Sequence, residues 1–123
     1  MKLEYMLLSD RAFFDQNMKL SVFDIFYSFL APSYPATSSF YVSCCLTGIP
    51  SGTYKTKFKI FKGKKMILTS KKSEQVVSDA GIYRAISSIK GFTIPSAGKY
   101  TIKLYFGKEI FEEFFEAKKE VKG

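Results

Sequence analysis

From Lys99 to Phe106 the chain alternates between two sets of side chains: Tyr100, Ile102, Leu104 and Phe106 on one side, Lys99, Thr101, Lys103 and Tyr105 on the other. A period of two predicts a strand with one face buried and the other in water. Just upstream, Pro95-Ser96-Ala97-Gly98 is turn chemistry, in which proline presets φ and glycine takes a conformation closed to other residues. Tyr83 to Ile89 reads as a shorter strand before it, so the region predicts strand, corner, strand.

The pattern continues in both directions. Leu3 to Leu8 begins a strand, Ser9-Asp10 predicts a kink before Arg11 to Phe14, and Asp15 to Met18 is a polar turn. Lys19 to Phe29 predicts a long second strand whose inward side switches. Leu20 and Val22 share one face, then Phe23, Ile25, Tyr27 and Phe29 share the other. A bulge near Val22 to Asp24, or a strand crossing between sheets, accounts for that switch. Ala31-Pro32-Ser33-Tyr34-Pro35 breaks the strand and predicts an ordered loop at one end of the fold. Phe40, Val42, Cys44 and Leu46 form the inner face of a third strand. In Tyr54 to Phe61, Tyr54, Thr56, Phe58 and Ile60 face in while Lys55, Lys57 and Lys59 face out. Lys62-Gly63-Lys64-Lys65 predicts a hairpin to Met66 to Ser70, and Lys71 to Gly81 a polar loop with one extended piece at Gln75-Val76-Val77.

The C-terminal segment admits two conformations. Phe106-Gly107-Lys108-Glu109 reads as a tight hairpin into a last strand. Ile110, Phe111, Phe114, Phe115 and Val121 also fit one face of a short helix, with Glu112 and Glu116 opposite. The strand is favoured, because an inner strand at 99–106 needs a partner.

Gly98-Lys99-Tyr100 at the head of a strand resembles the tyrosine corner of immunoglobulin-like sandwiches, where the phenol hydroxyl bonds back to nearby backbone. Ile102 stands where an antibody-type domain has cysteine, and the chain contains no tryptophan. The resemblance is to the architecture. The expected fold is one all-β domain over residues 1–123: an immunoglobulin-like antiparallel β-sandwich of about 7–9 strands without a disulfide.

Composition adds location and charge. At 123 residues the chain is long enough for a single buried core. Aromatic residues make up 17% of it, which suits a sandwich core and leaves rings for an interface. No apolar run approaches the length of a membrane span, and no signal-peptide pattern opens the chain. Cys44 and Cys45 are adjacent on a predicted strand, so they point to opposite faces and cannot bridge each other. They read as packing residues in a reducing cytoplasm. Net charge is +8, and residues 55–103 hold 12 Lys/Arg against 2 Asp/Glu. The positive charge belongs to the middle of the chain.

The segments M-K-L-E-Y-M-L-L-S-D-R-A, K-L-S-V-F-D-I-F, A-P-S-Y-P and F-T-I-P-S-A-G-K-Y together resemble a family of short bacterial proteins catalogued only as a domain of unknown function. The resemblance covers most of the chain. It implies a small β-sandwich and supplies no catalytic residues. The chain departs from that pattern at Asp24, where the family carries glycine.

Candidate chemistry is sparse. The chain has no histidine, which removes the commonest general base and most zinc sites, and no phosphate-cradling glycine loop. Asp10, Asp15 and Asp24 lie near one hairpin and are the residues on which a hydrolase or metal site would be built; they read first as turn and edge residues. Glu109, Glu112, Glu113, Glu116 and Glu120 read as a solvated face. No enzyme activity, cofactor or metal is expected. The leading expectation is a non-catalytic cytoplasmic protein-binding or assembly module. Its partner would be another protein or a second copy, met through Pro32, Tyr34 and Pro35 and through Phe111, Phe114 and Phe115. The alternative is a polyanion, nucleic acid in particular, held by Lys55, Lys57, Lys59, Lys99 and Lys103 with Tyr105 as a stacking ring. Lys62, Lys64 and Lys65 would stand at the rim of that face. It requires the strands at 54–61 and 99–106 to be neighbours.

Overall fold

A computed structural model describes residues 1–120; Val121 and Lys122 of the C-terminal segment lie outside the described residues. The strands in order are β1 (Lys2–Phe14), β2 (Leu20–Ile25), β3 (Ser28–Ala31), β4 (Ala36–Thr47) and β5 (Gly52–Lys62). They are followed by β6 (Lys65–Thr69), β7 (Ser73–Val77), β8 (Tyr83–Ile94), β9 (Gly98–Phe106) and β10 (Glu109–Lys119). One sheet runs β2-β1-β4-β8, and the other β3-β10-β9-β5-β6 with β7 also paired to β5. The two form a sandwich.

The core lies where the alternation predicts it. Met6, Leu8, Phe40, Val42, Cys44, Leu46, Phe92 and Ile94 of the first sheet meet Ile60, Tyr100, Ile102, Leu104, Phe106 and Phe115 of the second. Burial of its thiol in this layer pushes Cys44 up to about 12. Cys45 is also buried, and both thiols are free. At one end Phe26, Phe29, Phe40 and Phe115 meet edge to face with centroids 4.7–6.4 Å apart, a favourable arrangement of ring quadrupoles.

The corner between β8 and β9 is closed by Tyr100. Its hydroxyl donates to the Ser96 carbonyl at 2.6 Å and accepts from the Ser96 N–H at 3.4 Å. The phenol is fully buried and lies flat against Phe115, centroids 5.0 Å apart. This is the tyrosine-corner bond that Gly-x-Tyr predicts.

The strand favoured at the C-terminus is borne out over its helical alternative, and two expectations are corrected. No helix occurs among the described residues: 109–119 is β10, in antiparallel register with β9 from Glu109–Phe106 to Ala117–Gly98. The two-residue turn Gly107-Lys108, with Gly107 at φ 59°, delivers it to that partner. The strands among the described residues number ten rather than 7–9, because 19–29 divides into β2 and β3 and 73–77 is a full strand. The sandwich is not wholly antiparallel, since β3 runs parallel to β10. The division has a local cause. Asp24 holds φ 57°, in the region glycine favours, and beyond it the chain leaves the first sheet for the edge of the second.

β1 serves two partners. Lys2 to Ser9 pairs with β4, whereas Ser9 to Phe14 pairs with β2. The guanidinium of Arg84, which stands opposite Cys45 on β8, lies 5.2 Å from the Phe14 ring centroid. Cys45 in turn stands opposite Tyr5, nine residues before Phe14, or about 30 Å of extended strand. The hairpin therefore turns back at Ser9-Asp10 and lies across the outer face of the first sheet. That cover buries Ser43 and Cys45, on the opposite side of β4 from Val42 and Cys44.

Removing the corner hydroxyl leaves a partly buried carbonyl without its protein partner. Tyr100→Phe is expected to cost about 0.5–1.5 kcal/mol, read as a lower denaturant midpoint at unchanged slope. An unchanged midpoint would show that the corner bond contributes nothing.

Candidate anion-binding face

β5 and β9 adjoin, as the polyanion reading requires. Their antiparallel register sets Lys57 opposite Tyr105, Lys59 opposite Lys103 and Phe61 opposite Thr101. The intervening residues Phe58, Ile60, Ile102 and Leu104 are buried, so these positions face outward. β10 extends the rows, with Ile110 beside Tyr105, Glu112 beside Lys103, Phe114 beside Thr101 and Glu116 beside Lys99. The outer face is thus a lattice in which rows bearing rings, Lys57–Tyr105–Ile110 and Phe61–Thr101–Phe114, alternate with charged rows, Lys59–Lys103–Glu112 and Lys99–Glu116.

The lysines lie over the rings. The Nζ atoms of Lys57 and Lys59 are each 5.2 Å from the Tyr105 centroid. Lys103 Nζ is 5.0 Å from that of Phe61, and Lys99 Nζ 4.2 Å from that of Phe114. At exposed sites such contacts are worth about 0.5–1 kcal/mol, so they orient the side chains without locking them.

Carboxylates divide the face. Toward β10, Lys103 Nζ is 3.5 Å from Glu112, and Lys99 stands opposite Glu116. Toward β5, Lys55 faces Glu74 of β7, but the cross-strand partners of Lys57 and Lys59 are Tyr105, Lys103 and Thr69, none of them acidic. Lys72, between β6 and β7, joins this end at a cleft of about 240 Å³ lined by Lys55, Thr56, Lys57, Lys72, Tyr105 and Gly107. Partial burial, and then the charges of Lys59 and Lys72, hold the Lys57 ammonium below the usual lysine range. Like charges crowd here, and a bound anion would relieve them.

Of the six sequence candidates for this face, Lys55, Lys57, Lys59 and Tyr105 come together at one end. Lys103 shares the face but is engaged by Glu112, and Lys99 lies at the far end on Phe114. Lys62 leaves the expected rim: its Nζ bonds to Ser96 Oγ and, at 3.0 Å, to the Ala97 carbonyl. Lys64 and Lys65 remain exposed at the β5–β6 turn.

The aromatic candidates separate. Phe115 is 1% exposed and belongs to the core, Phe111 packs at the core's margin, and Phe114 is 42% exposed on the outer face. Pro32 and Pro35 are exposed, while Tyr34 is half-buried and donates its hydroxyl to the Lys118 carbonyl at 2.7 Å, holding the loop against β10.

Asp10 and Asp24 come together, flanked by the Ser9–Ile25 and Arg11–Phe23 pairs, and line a second cleft of about 380 Å³ with Ser28 and Ser38. Asp15 is used otherwise: its Oδ1 accepts from the N–H groups of Asn17 and Lys19 at 2.7 and 3.0 Å. Among the described residues no three His, Cys, Asp or Glu side chains group as metal ligands, and no helix is long and apolar enough to cross a membrane.

Sequence reasoning missed two residues of this face, Phe61 and Lys72, and an exposed aromatic pair elsewhere. Phe61 was legible, since alternation along Tyr54 to Ile60 places it outward. Lys72 was not, because only the return of its loop beside β5 brings it to the cleft. Phe13 and Phe23, exposed and stacked with centroids 5.9 Å apart on the folded-back hairpin, have the Arg11 guanidinium 5.4 Å from Phe23.

A family model described as "Family of unknown function (DUF6941)" matches residues 4–114. No curated protein matches the chain.

Proposed function

The chain belongs to that family of unknown function, and from its surface we propose that it is a non-catalytic cytoplasmic protein that binds a polyanion through the outer face of β5 and β9. One observation carries the reading: the β5–β9 register gathers Lys55, Lys57 and Lys59 around Tyr105, with Lys72 added from the next loop. Neutralising phosphates with such a row releases condensed counterions, which makes the binding steeply salt-dependent. A non-catalytic role is supported by the lack of histidine and by Asp15, whose carboxylate is used in closing a turn. A cytoplasmic location is supported by two free, buried thiols.

Binding of a labelled oligonucleotide, followed across a range of salt concentrations, tests the reading. Affinity is expected to fall steeply with salt. Changing Lys55, Lys57 and Lys59 to Ser together should flatten the slope of log affinity against log salt by about 2, at roughly 0.7 for each single-strand phosphate left without its lysine. Weak binding that the triple variant leaves unchanged would return these lysines to a role in solubility.

A second reading, self-assembly through the β3–β10 margin, is favoured by exposed apolar side chains there: Leu30 at 64%, Ile110 at 51% and Phe114 at 42%. It expects a dimeric or larger mass by light scattering, reduced to the monomer by Leu30→Lys. A strictly monomeric mass at high concentration would sink it.

A further inference from the structure

We propose that the strand taken up by this face is single-stranded nucleic acid, with bases stacked on Tyr105 and Phe61 and phosphates along Lys55, Lys57, Lys59 and Lys72. The inference rests on the polyanion reading and adds the class of ligand.

It starts from the alternation of rings and charges. A field meant only for phosphates needs cations and no rings, yet Tyr105 and Phe61 stand outward beside the lysines, each with a lysine tip about 5 Å from its centroid. A nucleotide offers both halves of the complement, a flat base for the ring and a phosphate for the ammonium. When a base covers Tyr105, the flexible stems of Lys57 and Lys59 carry their charge to the phosphate, while Lys103 beside Phe61 stays with Glu112. Base–aromatic stacking also tolerates any sequence, because every base has a π-face.

The spacing agrees. Tyr105 lies opposite Lys57, and Phe61 lies four residues further along β5, about 13 Å at 3.3 Å per residue. A flexible single strand running along β5 can lay one base on each ring. A duplex cannot, since its bases are stacked on one another and show only their edges in the grooves. The carboxylates mark the path's border: Glu112 and Glu116 on β10 repel a phosphate chain, so it is held to the β5 side, where Lys57 and Lys59 have no acidic cross-strand neighbour.

The test compares a labelled single strand with a blunt duplex of the same length by fluorescence anisotropy, using the intact chain, Tyr105→Leu and Phe61→Leu. Circular dichroism confirms that each variant is folded, which the outward placement of both rings favours. The single strand is expected to bind more tightly than the duplex. Each variant should weaken single-strand binding about tenfold, leave the salt slope intact and leave duplex binding unchanged. Equal affinity for duplex and single strand, with the lysine variants still effective, would overturn the single-strand assignment and leave the polyanion reading standing. So would ring variants that bind the single strand normally. Failure of both nucleic acids to bind at low salt would overturn both.

Discussion

The buried hydroxyl of Tyr100, bonded to the Ser96 carbonyl, decides which side of β9 faces the core. Side chains in a strand alternate with a period of two, so a slip of one residue would turn Lys99, Lys103 and Tyr105 inward and Ile102 and Leu104 out. A buried, unpaired ammonium is far costlier than an exposed leucine, which excludes that alternative, and the corner bond fixes the start of the strand in the same sense. β5 and β10 then inherit their parity by pairing with β9. The outer lattice of lysines and rings is the reverse side of the register that fills the core with Ile60, Ile102, Leu104 and Phe115.

Single contacts on that outer face are weak. The Lys103–Glu112 pair is partly exposed and falls among surface ion pairs worth about 0–1 kcal/mol, and each lysine–ring contact is of similar size. Their arrangement distinguishes one end of the face from the other. Near β10 each lysine has a carboxylate in register, and the charge is balanced locally. Near Lys57 it is not, and the lowered affinity of that ammonium for its proton follows from partial burial and from Lys59 and Lys72 beside it. An anion placed there gains attraction from several cations at once.

The parts of the fold legible in the chain were those set by local alternation and turn chemistry. The two faces of β5 and β9, the corner at Tyr100, the kink at Ser9-Asp10 and the last hairpin all follow from residues within a few positions of one another. The expected switch of inward side between Val22 and Phe29 was not met: Phe23, Ile25 and Tyr27 are exposed, and Phe26 and Phe29 pack on the core, because the left-handed backbone at Asp24 sends the chain out of the first sheet. What could not be read depends on distant partners. Nothing in Ser28 to Ala31 says that it pairs parallel with a strand almost ninety residues later. Nothing in Phe13 or Phe14 says that their hairpin folds back over the sheet to reach Arg84. The same limit separated the candidate residues. Lys55, Lys57, Lys59 and Tyr105 met because two alternating strands adjoin, whereas Phe111, Phe114 and Phe115 divided because a strand sends neighbouring residues to opposite faces.

The most direct measurement is a titration of isotope-labelled protein with a short single-stranded oligonucleotide, followed through the backbone amide resonances. Shifts are predicted to concentrate in residues 55–61, 70–73 and 101–107, the outer face of β5 and β9 and the loop that carries Lys72. Shifts centred on the hairpin at 11–23 or on the Asp10–Asp24 cleft, with β5 and β9 undisturbed, would contradict the account.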